Sequence, residues 1–228
     1  MIAMKNVVVL TGAGISAESG ISTFRDAGGL WEGYDFKEVA SPEGWRKNPA
    51  LVLDFYNKRR AQLLEVKPNY AHEALVDLEK KYHVQIITQN IDDLHERAGS
   101  SKVLHLHGEL LKVRSSFDET LILDWKTDLV LGDFCEHNHQ LRPHIVWFGE
   151  EVPMLDYAIK ITQNADIFII IGTSLQVYPA ASLLHFTKPE IPIYYIDPKP
   201  VFVKNLPNPL EIISTSATEG MVILLKKL

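Results

Sequence analysis

Apolar positions along this chain fall into two kinds of pattern. Short runs read VVVL at 7–10, VQIIT at 84–88, IFIII at 167–171, IPIYYID at 191–197 and LEIIS at 210–214. Most are rich in β-branched residues and end in polar or Gly-rich turns, which predicts strands. Because they are apolar almost throughout instead of alternating, they suit a sheet covered on both faces. Between them, helical patterns lie over 70–81, 154–163 and 178–187. The order β-α-β-α-β predicts an α/β fold with a Rossmann-like, doubly wound parallel sheet.

Two stretches break the alternation. Residues 31–69 read as loop and helix, the clearest helix being NPALVLDFYNKRRAQLLEV, and 111–142 hold short β-like pieces among polar residues. The expectation is one catalytic unit, with its core in 1–30, 70–110 and 143–228. The two insertions, 31–69 and 111–142, are expected to pack together as a small module.

Composition narrows the class of protein. Over 228 residues the net charge is −6, so no global basic field draws the chain to nucleic acid or anionic lipid. Lys58, Arg59 and Arg60 are the one candidate basic patch. Cys135 is the single cysteine, which excludes a disulfide within the chain. The longest strongly apolar run, Ile167–Ile171, is too short to span a bilayer, and no signal peptide is read before the first strand. A soluble cytoplasmic protein with no nucleic-acid or membrane partner is expected.

Ligands of open α/β sheets bind beyond the carboxyl ends of the strands, so those segments carry the candidate chemistry. After the first strand, TGAGIS sets Gly12, Gly14 and Ala17 in the G-x-G-x-x-A spacing that brings a diphosphate to a helix N-terminus. A tight turn without a ligand has the same spacing. Where a second strand ending in an acid is due, the chain reads STFRDAGGLWEGYDF instead. TQNIDDLHERAG then supplies Gln89, Asn90 and Asp92; a helix cap explains one of these, not three. VLHLHGEL, read as one short strand, puts His105 and His107 on the same face. A general base or a satisfied core histidine fits either position. Gly172, Thr173 and Ser174 open the segment after IFIII at a predicted helix start. Asp197 follows IPIYY as a ribose ligand or as part of a plain turn with Pro198.

In this order, GAGISAESGISTFRD, TQNIDDLHERAG, HLHGEL, RPHIVWFGE, GTSLQVYPAA and YYID resemble the sirtuins, NAD-dependent protein-lysine deacylases, and most closely their compact bacterial type. The resemblance covers nearly the whole chain. It implies that the Gly-rich, aromatic stretch is a mobile loop closing over NAD, which is consumed as a co-substrate. It also implies that Ala13, Gly14, Thr23, Phe24 and Arg25 line the dinucleotide and the nicotinamide ribose. Gln89, Asn90, Ile91 and Asp92 hold the ribose and the carboxamide, and Gly172, Thr173, Ser174 and Asp197 hold the adenosine half. Many sirtuins carry Asn where Asp197 stands. His107 and Asn90 are the implied catalytic residues, His107 as general base for a ribose hydroxyl. The implied products are free lysine, nicotinamide and O-acyl-ADP-ribose. His105 stands where many sirtuins carry Glu, and the resemblance gives it no role. Acyl-lysine peptides are the implied partners, pairing with the edge of HIVWFGE through Val146, Phe148 and Gly149; Trp147 and Phe148 also fit as core residues.

Two features refine the resemblance. Most sirtuins hold a structural zinc on four cysteines after HGEL. Here only Cys135 stands there, with His137 and His139 nearby and Ser115 close to one ligand position. The expectation is no zinc and a module held by packing. In FYNKRRAQL, Tyr56 and Arg59 are three apart and share a helix face. This Tyr-x-x-Arg matches sirtuins that remove succinyl and malonyl groups, since a guanidinium and a phenol suit a distal carboxylate. A solvated position for Arg59 is the alternative from the residues alone. Rival functions are protein ADP-ribosylation, hydride transfer by a dehydrogenase, and NAD binding without catalysis.

Overall fold

The computed structural model describes residues 4–23, 30–31, 33–203 and 205–228. Strand β1 (Asn6–Thr11) runs into two successive 3-10 turns, Ala13–Ile15 and Ala17–Ser19. A short ribbon of β2 (Leu30–Trp31) and β3 (Tyr34–Asp35) leads into α1 (Phe36–Val39), α2 (Pro42–Lys47) and α3 (Pro49–Glu65). Next come α4 (Tyr70–Leu78), β4 (His83–Thr88), α5 (Leu94–Ala98), β5 (Val103–His105), β6 (Gly108–Ser115), β7 (Ile122–Asp124) and β8 (Leu141–Ile145). The chain closes with α6 (Leu155–Gln163), β9 (Ile167–Ile171), a 3-10 helix at Ala180–Phe186, β10 (Ile193–Ile196), β11 (Leu210–Ile213) and α7 (Ala217–Leu225).

Six strands make one parallel sheet in the order β11-β10-β9-β1-β4-β5. Its unbroken apolar strands serve two faces at once. Val7, Val9, Ile167, Ile169 and Ile171 pack with Ala74, Leu75 and Leu78 of α4 and Met221 and Leu224 of α7. The intervening Val8, Leu10, Phe168 and Ile170 pack on the other face with Ala158 and Ile161 of α6 and with Leu183 and Leu184. From β1 the chain builds β4 and β5 to one side and later β9, β10 and β11 to the other. The reversal opens a crevice at the carboxyl ends of β1 and β9.

Asn48 begins α3 by accepting from Leu51 N at 3.1 Å, with Pro49 in the first turn. On one side of α3, Leu53 packs with Val113, Leu129, Cys135 and Leu141. Asn57 there bonds both main-chain groups of Leu129, donating to its carbonyl at 3.0 Å and accepting from its amide at 2.9 Å. The helix is thus joined to the antiparallel sheet β7-β6-β8 and the loop at 129.

Several expectations need correction. The GAG motif enters 3-10 turns instead of an α-helix, and 178–187 contains a 3-10 helix over Ala180–Phe186. VLHLHGEL is not one strand: β5 ends at His105, and β6, starting at Gly108, belongs to the other sheet. No basic patch forms at 58–60. Lys58 is exposed and paired with Asp54, whereas Arg60 is buried and donates to Asn57 at 2.7 Å.

Candidate active site

One cavity of about 670 Å³ lies over the crevice. Its floor is two loops in contact. Gly14 N donates to the carbonyl of Gly172 at 2.8 Å and Gly12 N to that of Ile171 at 3.0 Å. A Cβ on Gly14 meets the Gly172 Cα at 2.6 Å, so the glycine spacing serves a main-chain approach that no side chain permits. Gly172 has φ +63, and a Cβ on it meets Ile15 N at 2.3 Å, which fixes it as glycine also.

The cavity gathers every described residue expected in the site. Ala13, Gly14, Thr23, Gln89, Asn90, Ile91, Asp92, Gly172, Thr173, Ser174 and Asp197 line it, as do His107, Tyr56, Arg59, Val146, Phe148 and Gly149. Phe24 and Arg25 lie outside the described residues. Thr173 Oγ1 accepts from Gln89 Nε2 at 3.1 Å, tying the ends of β4 and β9. Asp197 is buried and its Oδ1 accepts from Lys199 N at 2.8 Å.

Ser16, to which the sequence assigned no role, is the hub at the buried end. Its hydroxyl donates to Asp92 Oδ2 at 3.0 Å and accepts from Asn90 Nδ2 at 3.2 Å. Leu94 N reaches Asp92 Oδ1 at 3.2 Å. Burial pushes the Asp92 carboxyl up to about 6, against the opposing effect of these hydrogen bonds and of His105.

His107 Nδ1 is 2.9 Å from the carbonyl of Gln89. A carbonyl only accepts, so Nδ1 carries the proton and Nε2 is the basic atom. Burial holds this imidazole below its ordinary value, so it is neutral near pH 7 and fit to take a proton.

The opposite wall is braced by a buried cluster. Arg142 lies 3.4 Å from the Trp147 ring centre and grips both carboxylate oxygens of Glu150, at 2.7 and 3.2 Å. Glu150 also accepts from Trp147 N at 2.8 Å. The indole Nε1 of Trp147 donates to Tyr56 Oη at 3.0 Å. Burial drives the Tyr56 phenol well above its usual range, so it stays neutral. Arg59, one turn on, lies over Phe55 at 4.7 Å. The amides of Val146 and Phe148 donate to His107 O and Ala40 O, so the expected pairing of a peptide with this segment cannot use those two donors. Trp147 is buried and Phe148 is exposed, which separates two residues the sequence left together.

In the small module, the Cys135 thiol sits in an apolar cluster and donates to Ser115 Oγ at 3.4 Å. His139 stacks on Phe117 and His137 is exposed beside Glu136. One thiol beside a hydroxyl does not make the four-ligand N and S set that structural zinc takes. No group of three His, Cys, Asp or Glu converges among the described residues.

The Sir2 family pattern matches residues 12–179. The chain belongs to the Sir2 family. An NAD-dependent protein deacylase of Helicobacter pylori (strain J99 / ATCC 700824) is 62% identical over 99% of this Sir2 chain and 96% of its own length. One of Bacteroides thetaiotaomicron is 55% identical, over 96% and 95%. A solved Sir2 homolog–NAD complex superposes on this Sir2 chain with a TM-score of 0.85 at 38% identity, covering 98% of this chain and 89% of that one.

Proposed function

We propose that this chain is an NAD-dependent protein-lysine deacylase whose acyl pocket accepts acidic acyl groups, succinyl and malonyl, beside acetyl. The observation that carries the finer part is that Tyr56 and Arg59 open into the same cavity as His107.

The donor set fits NAD. Buried Asp92 and Asn90, joined behind the lining by Ser16, form a polar end suited to a carboxamide and a ribose, and Thr173, Ser174 and Asp197 suit the adenosine half. When bound, NAD supplies an electrophilic ribose carbon on loss of nicotinamide, and the acyl group ends on ADP-ribose, which is transferase chemistry. His107 Nε2 takes a hydroxyl proton, with Nδ1 fixed by Gln89. Ile91, Leu110, Ile145 and Trp147 give the cavity an apolar wall. The Arg59 guanidinium pairs a distal carboxylate, and Tyr56, oriented by Trp147, adds a neutral hydrogen-bonding group. A buried free thiol and the need for NAD favour a reducing, cytoplasmic setting.

The test is nicotinamide release from NAD with matched acetyl-lysine, succinyl-lysine and unmodified peptides, for wild type and Arg59→Met. Acyl-dependent release is expected. Arg59→Met should reduce succinyl turnover by about 30-fold or more, equivalent to about 2 kcal/mol or more, and acetyl turnover far less. Equal losses on both acyl groups overturn the acidic-acyl reading. Release without acyl peptide, with label from NAD fixed on protein, moves the assignment to ADP-ribosyl transfer.

A further inference from the structure

The segment that carries the polar end of the cavity is held carbonyl by carbonyl. The main-chain oxygen of Thr88 accepts from Leu106 N at 2.9 Å and that of Ile91 from Leu110 N at 2.8 Å. Between them, Gln89 O accepts from His107 Nδ1 and Asn90 O from His105 Nδ1, the latter at 3.0 Å. Two imidazoles therefore make equivalent bonds to adjacent carbonyls, yet their second nitrogens differ. His105 Nε2 lies 2.8 Å from the Glu96 carboxylate. Both ring nitrogens of His105 face acceptors, so satisfying both requires both protons and makes the ring an imidazolium. Its charge lies within Coulombic reach of Asp92.

We propose that His105 is a positioning residue for the deacylase reaction: an imidazolium clamped between Glu96 and the Asn90 carbonyl that fixes the 89–92 segment carrying Asn90 and Asp92. The site residues involved rest on the deacylase reading; the protonation state does not. The pairing also accounts for a histidine at a position where a neutral side chain leaves Glu96 without a partner. Glu96 raises the basicity of His105, and Glu109 adds to this, overcoming a burial effect of the opposite sign. The other charged or titratable groups near the pair are Asp93 beside Asp92, His95 on α5, which is buried and held well below its ordinary value, and Lys112 near Glu96.

Two variants separate the charge from the hydrogen bond. Glu96→Gln lets His105 become neutral while Nδ1–H still reaches Asn90; the Glu96 side chain is 41% exposed, so folding is not at risk. His105→Ala removes both. NMR of histidine-labelled protein, with no turnover required, should find both His105 nitrogens protonated near neutral pH, and Glu96→Gln should lower that titration. In nicotinamide release, kcat/KM for NAD should fall with rising pH earlier in Glu96→Gln than in the wild type, because His105 loses its proton, and with it the charge-assisted bond to Asn90, at lower pH, while the acid limb stays with His107. His105→Ala should lower kcat/KM for NAD about tenfold, the value of one charge-assisted bond, without raising KM for peptide. A neutral His105 in the wild type, or a Glu96→Gln profile superimposed on the wild type, overturns the proposal. A wild type that shows the imidazolium but no acyl-dependent release overturns the deacylase reading instead.

Discussion

Replacing Asp92 with Asn should stabilise the protein at neutral pH while abolishing its reaction. The folded state raises this carboxyl from 3.8 to about 6, burial being the largest cause. Folded protein therefore binds more protons than unfolded between those values, and stability falls as pH rises through the window. The cost is complete above about pH 6. At about 1.4 kcal/mol per pH unit, it amounts to ~3 kcal/mol. Asn cannot ionise and escapes it. Its amide oxygen still accepts from Leu94 N, but the bond donated by Ser16 to Oδ2 is lost, at about 1 kcal/mol. The net gain is about 2 kcal/mol at neutral pH, or about 5 °C in Tm for a chain of this size. Near pH 4 the sign reverses, because the wild-type carboxyl is then protonated and bears no penalty. Urea denaturation of both proteins at about pH 4.5 and 7.5 reads the difference directly. A stability difference that is the same at both pH values, or an Asn variant less stable at pH 7.5, refutes the reasoning. Nicotinamide release from the same samples should be lost, so the ionised carboxylate is kept for chemistry at the expense of folding.

Other outcomes follow from the same geometry. His107→Ala should lose turnover yet retain NAD binding by calorimetry, and the wild-type acid limb assigned to His107 should lie below pH 6.5, since burial lowers this imidazole and the base is lost as pH falls through its value. Gly14→Ala, with its Cβ driven to 2.6 Å from the Gly172 Cα, should cost about 1–3 kcal/mol in denaturant titration and weaken NAD binding. Asn57→Ala removes both bonds to Leu129 and the acceptor for Arg60, and should cost about 2–4 kcal/mol, with hydrogen exchange accelerating first around 129–141.

The parallel sheet was legible because its strands are buried on both faces, and a run such as IFIII has few other uses. The cavity residues were legible because α/β sheets place ligands beyond strand ends and the motifs fall at those ends in order. What escaped depends on contacts across the fold. The GAG turn does not open an α-helix because Gly14 abuts Gly172, about 160 residues away in sequence. Arg60 is indistinguishable from Lys58 and Arg59 until α3 is docked. Ser16 acts by joining Asn90 to Asp92, and His105 by joining Glu96 to a main-chain oxygen; neither partnership leaves a periodicity or spacing to read. Of the pair Trp147 and Phe148, only the cluster around Arg142 decides which is inside.

Helix α3 presents Tyr56 and Arg59 to the cavity, and on the adjoining face Leu53 meets the small antiparallel sheet and Asn57 the loop at 129. The helix is therefore a lever with its fulcrum in a region that does no chemistry. If Arg59 reads the acyl group as proposed, substitutions at Leu129 or Cys135 that reseat the helix would alter acyl selectivity without touching a ligand. A search for specificity variants in this chain should begin on the outer sheet as readily as in the pocket.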